Sequence, residues 1–131
     1  MLDDTQIAVL IACAARVRES AYAPYSGYKV GAAVVGEDDR VFLGCNVENA
    51  SYGLSLCAER SALAAAVAAG VRLVKAVVVV TEANPPGTPC GACRQWMSEF
   101  SADTLEVIAG TPAGRYRRFT LTELLPDPFG L

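Results

Sequence analysis

The chain has 131 residues, of which 53% are hydrophobic, and a formal net charge of −3 with no histidine. That length suffices for one domain with a buried core, and we expect a single domain over residues 1–131. The acidic balance argues against a nucleic-acid-binding surface, because phosphate recognition relies on clustered Lys and Arg. We interpret the small basic cluster of Arg115, Arg117 and Arg118 as a solvated strand edge or a subunit contact.

No segment resembles a targeting or membrane element. Asp3 and Asp4 lie where a secretory signal requires positive charge, and the apolar run over residues 7–15 is too short to span a bilayer. We therefore expect a soluble cytoplasmic protein that does not contact membranes. In that compartment its five cysteines stay reduced, which favours metal or catalytic roles over disulfides.

The first half of the chain predicts a helix, a hairpin and a second helix. Apolar residues recur at helical spacing over residues 4–20, and Asp3 or Asp4 can cap the start. A loop over 21–27 precedes strands at 30–35 and 41–47, which form a hairpin around a polar turn at 37–39. After a loop over 48–56, an alanine-rich helix spans 57–69, and Gly70 is typical of a helix end.

The second half alternates between strands and helices. The β-branched run over 74–81 predicts a strand covered on both faces. A Pro- and Gly-rich loop over 82–89 leads to a helix at 90–100, strands at 105–109 and 116–120, and a short helix at 122–125. This order predicts an α/β fold with a mixed sheet and helices on both faces. We expect right-handed parallel crossovers from residue 74 onward.

Two short segments carry the chemistry: Cys57-Ala58-Glu59 and, 33 residues after Cys57, Pro89-Cys90-Gly91-Ala92-Cys93. Cys57 and Cys90 fall at or near predicted helix starts, where the helix dipole favours thiolates. Cys90 and Cys93 share one helical face. Three protein ligands and one open position are the arrangement of a catalytic zinc. We therefore predict one Zn²⁺, bound by these three cysteines.

Glu59 is the leading candidate for proton transfer, since the chain offers no imidazole. Three thiolates on one Zn²⁺ leave a net charge of −1, and Arg60 is the nearest group that could withdraw charge from the sulfurs. Taken alone, the Cys90–Cys93 pair could equally be a redox dithiol, and a structural zinc would need a fourth ligand. Cys13 and Cys45 lie in apolar stretches and are interpreted as buried core thiols.

These segments match the zinc-deaminase signature, in which a His or Cys two residues before Glu is followed by Pro-Cys-x-x-Cys. Over nearly its whole length the chain resembles the small tetrameric cytidine deaminases. Besides the two zinc segments, the matching stretches are Ala21-Tyr22-Ala23-Pro24-Tyr25-Ser26, Val30-Gly31-Ala32-Ala33, Gly44-Cys45-Asn46-Val47-Glu48-Asn49-Ala50-Ser51-Tyr52 and Glu123-Leu124-Leu125-Pro126.

The resemblance implies a three-layer α-β-α domain with a five-stranded mixed sheet. It implies hydrolytic deamination of cytidine and 2′-deoxycytidine to the uridine nucleosides with release of ammonia, a reaction of pyrimidine salvage. It also implies a homotetramer whose sites are shared between subunits. By position, the three cysteines correspond to zinc ligands and Glu59 to the proton shuttle.

The resemblance further implies contacts to the nucleoside. Asn46 and Glu48 match the pair that holds the ribose 3′-hydroxyl, and the backbone N–H of Ala58 matches the donor to the base carbonyl. Tyr28 stands where the family usually has a phenylalanine that packs on the pyrimidine, so this chain departs from the pattern by one hydroxyl. Three more aromatic residues are expected at the shared pocket: Phe129, beside a neighbouring subunit's site, Tyr25 and Tyr52.

Other deaminases remain as alternatives. An enzyme acting on a related aminopyrimidine nucleoside such as blasticidin S shares the zinc segments, although Glu48 argues against it. A nucleotide deaminase should show basic phosphate-binding residues near the pocket, and none is evident. An RNA- or DNA-editing role conflicts with the acidic charge and small size.

Overall fold

Two runs of valine and alanine form the central part of a five-stranded sheet in the computed structural model, which describes residues 1–131. The spatial order is β2-β1-β3-β4-β5. The strands are β1 Gly31–Gly36, β2 Val41–Cys45, β3 Val74–Val80, β4 Ser101–Gly110 and β5 Tyr116–Thr120. β1 runs antiparallel to β2 and β3, β3 runs parallel to β4, and β4 runs antiparallel to β5. The predicted mixed sheet is confirmed.

The predicted helices are present with small changes at their ends. They are α1 Asp4–Arg18, α2 Ala58–Ala68, α3 Gly91–Glu99 and α4 Leu121–Leu124, with a 3₁₀ turn at Tyr52–Leu54. Asp3 caps α1 through a reciprocal capping box with Gln6, which satisfies first-turn amides. Gly70 follows α2 with φ of +96°, a backbone conformation that glycine adopts without steric cost. None of these helices has the length and hydropathy that crossing a bilayer requires.

Strand alternation divides the core into two clusters, one on each face of the sheet. On one face, α1 buries Ile7, Leu10, Ile11 and Ala14 against inward residues of β1, β3 and β4. On the other face, α2, α3 and α4 bury apolar side chains that include Leu63 and Met97 against Val34, Val77 and Val107. The three α-β-α layers implied by the resemblance are therefore present, and β3 is covered on both sides.

Only one connection is a parallel crossover, from β3 through α3 to β4. The expectation of further crossovers is wrong, because β4 and β5 pair in antiparallel fashion. The five residues between them close a tight turn in which Thr111 N–H donates to Arg115 O and Gly114 N–H donates to Thr111 O. A crossover needs a connection at least twice as long, roughly a dozen residues.

Two local expectations also need correction. β4 starts at Ser101 rather than residue 105, because Ser101 pairs with Val74 before a register shift, and residues 101–104 carry no hydrophobic pattern. Cys13 and Cys45 are half-buried rather than core thiols. All five cysteines are free.

Gly44 brings α2 into direct contact with β2. A Cβ at this position would lie 2.4 Å from Ala62 N and 2.7 Å from Ala58 O, closer than real Cβ atoms approach other heavy atoms. Only glycine therefore permits this spacing. The contact fixes the first turns of α2, and with them Cys57 and Glu59, against the sheet.

Two members of the basic cluster, Arg117 and Arg118, lie on the edge strand β5, and Arg115 lies in the turn before it. Arg118 Nε is 3.4 Å from the buried Glu106 carboxylate, and its Nη2 donates to Leu2 O at 3.0 Å. The Arg117 guanidinium lies 4.8 Å from the centroid of the Phe119 ring. These cations therefore have partners within the chain, in agreement with the strand-edge interpretation.

Candidate metal centre and active site

The N-termini of α2 and α3 meet at the end of β3, and each presents a cysteine there. Cys57 is the N-cap of α2 and Cys90 the N-cap of α3, and neither side chain makes a capping hydrogen bond. Their Sγ atoms lie 3.7 Å apart. The buried Cys93 completes a set whose three Sγ atoms all lie within 4.8 Å of one another. The two helix starts therefore gather three sulfur donors into one cluster.

The donor set fits zinc. Ligands about 2.3 Å from a tetrahedral zinc lie about 3.8 Å from one another, close to the Cys57–Cys90 separation of 3.7 Å. No Asp, Glu or further Cys joins the cluster. Cys57, Cys90 and Cys93 would hold the ion as three protein ligands, the number found in catalytic zinc sites.

Arg60 lies against the cluster. Its Nη2 donates to Cys57 Sγ at 3.4 Å and reaches Ser55 O at 3.5 Å. The pKa of Cys57 is lowered to about 5, mainly by a hydrogen bond from the Cys93 thiol and next by the Arg60 guanidinium. The pKa of Cys93 is raised because its proton is held by Cys57 and because the thiol is buried. Cys57 is therefore a thiolate at neutral pH, the form that binds zinc.

Glu59 occupies the first turn of α2 and is only 4% exposed. Burial raises the pKa of its carboxyl to about 7, and the negative charge on Cys57 adds to the effect. It lies outside the set of sulfur donors. A carboxyl that titrates near neutral pH can both accept and return a proton, which is the requirement for a general acid–base.

A cavity of about 340 Å³ opens beside Glu59 and two of the cysteines. This volume lies within the range of small-molecule sites. It brings together five residues that the sequence analysis singled out for substrate or catalysis: Tyr28, Asn46, Glu48, Ala58 and Glu59. A second cavity of about 390 Å³ lies near Met1, Lys75 and Glu106 but has no cysteine in its lining. The first cavity is therefore the candidate active site.

Asn46 and Glu48 shape the wall of this cavity through hydrogen bonds to distant backbone. Asn46 Oδ1 accepts from Val30 N–H and Asn46 Nδ2 donates to Tyr28 O, both at 2.8 Å. Glu48 Oε1 accepts from the N–H groups of Tyr25 at 2.9 Å and Ser26 at 3.2 Å, and Glu48 Oε2 accepts from the Ser26 hydroxyl. The hydroxyl is the main cause of the lowered pKa of Glu48. Both side chains thus hold residues 25–30 in place.

The other aromatic residues lie outside this cavity. Tyr25 and Tyr52 form an edge-to-face pair with ring centroids 6.1 Å apart, beside a neighbouring cavity bordered by Glu48. Phe129 is 74% exposed. Its backbone is held by the Gln95 amide, which donates to Phe129 O at 2.9 Å and accepts from Phe129 N–H at 3.3 Å. The Phe129 side chain is therefore exposed on the surface of the chain.

Arg94 is a positioning residue that sequence reasoning missed. It donates to Pro89 O at 2.7 Å, to Leu124 O at 2.8 Å and to Thr88 Oγ1 at 3.0 Å. These bonds tie the loop that carries Cys90 to α3 and to the C-terminal segment. Its position next to Cys93 was the only available signal, and adjacency alone does not identify a role.

Three sulfur donors able to hold zinc, beside a buried carboxyl with a pKa near 7, are the arrangement of a zinc-dependent hydrolase. Comparison with known families identifies which zinc-dependent enzymes the chain is related to. The family described as "Cytidine and deoxycytidylate deaminase zinc-binding region" matches residues 4–110, and the chain belongs to this family of zinc-dependent deaminases.

Individual proteins similar to this chain carry the name of one member of this family, cytidine deaminase. The chain is 47% identical over 121 residues to a cytidine deaminase of Halalkalibacterium halodurans, covering 92% of each chain. It is 44% identical over 120 residues to one of Sporosarcina psychrophila, covering 92% of this chain and 88% of that protein. Among solved structures, the cytidine deaminase of Burkholderia pseudomallei is 54% identical with a TM-score of 0.88, covering 92% of this chain and 97% of that one.

Proposed function

We propose that this protein hydrolyses cytidine and 2′-deoxycytidine to uridine and 2′-deoxyuridine and releases ammonia. The observation that carries the proposal is the buried Glu59 carboxyl, with a pKa of about 7, in the cavity that also contains Cys57 and Cys90. The named cytidine deaminases to which the chain is similar support the choice of substrate. The reaction is a step of pyrimidine salvage.

Bound zinc would supply Lewis acidity, which lowers the pKa of a coordinated water to about 7. Glu59 accepts a proton from the attacking water and delivers it to N3 of the pyrimidine, which activates C4 for addition of the oxygen. It then accepts the proton of the hydroxyl group now on C4 and passes it to the amine, which leaves C4 as ammonia. A carboxyl with a pKa near the working pH suits both directions of transfer. Arg60 donates a hydrogen bond to Cys57 Sγ. This bond withdraws negative charge from the sulfur, which would otherwise weaken the Lewis acidity of the metal.

The base and the sugar are proposed to bind at opposite ends of the cavity. The Ala58 N–H is one of the first-turn amides of α2 that lack an intrahelical acceptor, and it donates to the base carbonyl O2. Asn46 and Glu48 lie further along the wall and would bind the ribose 3′-hydroxyl. A carboxylate accepts about four hydrogen bonds, and Glu48 accepts three from residues 25 and 26. The Tyr28 ring forms an apolar wall for the pyrimidine.

The assembly is proposed to be a homotetramer in which Phe129 closes a neighbouring subunit's site. Its outward position supports this, as does the exposed Tyr25–Tyr52 pair beside the active-site cavity. Five free thiols, three of them in the metal cluster, support a cytoplasmic location, since a reducing compartment preserves them.

Hybrid oligomers test the shared site. Glu59→Gln subunits lack the proton shuttle, and Phe129→Ala subunits lack the aromatic residue given to the neighbour. Hybrids of the two, formed by co-expression, should contain sites with wild-type KM for cytidine, because a Phe129→Ala subunit can borrow Phe129 from its Glu59→Gln neighbour. A fully active monomer in sedimentation analysis would refute the proposed assembly.

The activity itself is tested by incubating the zinc-loaded protein with cytidine, 2′-deoxycytidine, CMP, cytosine and blasticidin S. We expect stoichiometric ammonia and uridine nucleosides from the first two, with much lower rates on the phosphorylated and sugar-free compounds. Faster turnover of blasticidin S than of cytidine would replace the proposed substrate. No ammonia from any compound by the zinc-loaded protein would contradict deamination altogether.

A further inference from the structure

Two hydroxyl groups meet at one corner of the active-site cavity, opposite a residue that has no side chain. The Tyr28 hydroxyl oxygen and Thr81 Oγ1 each lie 3.3 Å from the position that a Cβ on Gly87 would occupy. Tyr28, Thr81 and Gly87 all line the cavity. The absence of a side chain at residue 87 leaves room for the Tyr28 hydroxyl, so these three residues form one corner, which we call the hydroxyl corner.

Both hydroxyls are free to donate. The Tyr28 side chain makes no hydrogen bond within the chain, while the Tyr28 backbone N–H donates to Ser26 Oγ. Thr81 Oγ1 accepts from Ala83 N–H at 3.1 Å, which leaves its own proton without an acceptor in the chain. A hydroxyl carries one donor and two acceptor positions. The hydroxyl corner therefore offers two unused O–H donors inside a partly apolar pocket.

The proposed binding mode determines which part of the base faces this corner. C4 must approach the sulfur cluster, while N3 and O2 must face Glu59 and the Ala58 N–H at the start of α2. The opposite edge of the ring, which carries C5 and C6, then faces away from α2. Outside α2, the lining of the cavity includes the end of β3 and the loop after it, with Thr81, Gly87 and Thr88, and the C5 edge is assigned to this part of the wall.

We propose that Tyr28 and Thr81 form a polar subsite for a hydrogen-bond-accepting substituent at C5 of the pyrimidine, such as a hydroxymethyl group. The inference rests on the proposed function and extends it to a class of C5-modified nucleosides. A methyl group in the same place would bury two donors without a partner, and such burial is unfavourable. The site thus discriminates by polarity between C5 substituents of similar size.

Competitive inhibition by product nucleosides measures this preference without the electronic effect of the substituent on the reaction rate. The inhibition constants of 5-methyluridine and 5-hydroxymethyluridine are compared against cytidine deamination by the zinc-loaded enzyme. We expect the hydroxymethyl compound to bind more tightly, by about 3- to 10-fold for each hydrogen bond gained. Tyr28→Phe should lower this ratio by about the same factor, whatever it does to KM for cytidine.

Tyr116→Phe is the matched control, because the Tyr116 hydroxyl donates to Asp4 and Tyr116 does not line the active-site cavity. Its loss should leave the ratio of the two inhibition constants unchanged. Thr81→Ser keeps the hydroxyl and should retain the preference, whereas Thr81→Val should reduce it. If cytidine is deaminated but the ratio is near one, or is equal in wild type and Tyr28→Phe, the subsite is refuted and the proposed function stands. If cytidine is not deaminated, both are refuted.

Discussion

The guanidinium of Arg60 donates a hydrogen bond to the sulfur of Cys57 at 3.4 Å. Arg60 lies one helical turn after Cys57 on α2, so the two side chains share a face of the helix. The contact joins a permanent cation to the metal cluster. It reduces the negative charge that three thiolates would otherwise place on a divalent ion, and this charge controls how acidic a bound water becomes.

Replacing Arg60 with Gln should therefore lower kcat/KM for cytidine by about 10- to 100-fold. The more negative cluster raises the pKa of the nucleophilic water, so the acidic limb of the pH–rate profile should move to higher pH. Arg72→Gln is the control, because Arg72 donates only to the backbone oxygens of Val67 and Val71. A profile in which the Arg60 variant differs from wild type only by a loss of zinc would contradict this role.

Gly44→Ala should displace the start of α2, because the new Cβ would overlap Ala62 N and Ala58 O. We expect a loss of about 1–3 kcal/mol of unfolding free energy and weaker zinc binding, since Cys57 moves with the helix. Gly53→Ala is a matched control, because a Cβ there meets nothing within 4 Å. Denaturant unfolding and metal titration of both variants measure the effects. Equal stability and zinc affinity in the two would show that the α2–β2 contact does not position the cluster.

Asn46→Ala removes both hydrogen bonds that hold residues 28–30 against β2. Unfolding free energy should fall by about 1–3 kcal/mol, and KM should rise because the Tyr28 wall loses its support. In Asn49→Ala only the local bond to Ser51 N–H is lost, so the effect should be small. If KM changes equally in both variants, Asn46 has no special part in shaping the site.

The raised pKa of Glu59 predicts a pH dependence of stability in the metal-free protein. Unfolded, the carboxyl loses its proton near pH 4.5, whereas in the folded chain it holds the proton to about pH 7. The folded state therefore binds more protons in this window, and stability falls as pH rises through it. Relative to Glu59→Gln, the wild type should lose about 3 kcal/mol between these limits.

Urea unfolding of both metal-free proteins from pH 4 to pH 8 measures this difference. The cysteine thiols also titrate in the range, but they are present in both proteins and largely cancel. A stability difference that stays flat between pH 4.5 and 7 would mean that Glu59 is ionised throughout and that its pKa is not raised.

Much of the fold was accessible from the sequence because its signals are local. Periodic apolar residues identified α1, and the β-branched run at β3 indicated a strand buried on both faces. The metal cluster was also predictable, because Cys57 and Cys90 fall at helix starts and Cys93 follows Cys90 by nearly one turn. Predictions from the helix dipole and from ligand spacing need no knowledge of distant contacts.

The remaining features depend on residues far apart in sequence. The bonds of Asn46 to residues 28 and 30, and those of Glu48 to residues 25 and 26, bridge about 16 to 23 positions. The Arg94 bonds to Thr88, Pro89 and Leu124 likewise depend on the packing of three segments. The periodicity of apolar residues along the sequence does not predict such pairings. The polar start of β4 also lacks a hydrophobic signal, because only backbone pairing defines it.

The most direct test of the account is the zinc content and cytidine deamination rate of Glu59→Gln. Glutamine keeps the size of the side chain but cannot accept a proton from water. We predict that the variant retains zinc at the wild-type stoichiometry and loses about 10²- to 10⁴-fold in rate. A variant that holds zinc and deaminates cytidine at close to the wild-type rate would contradict the assignment of Glu59 as the group that transfers protons.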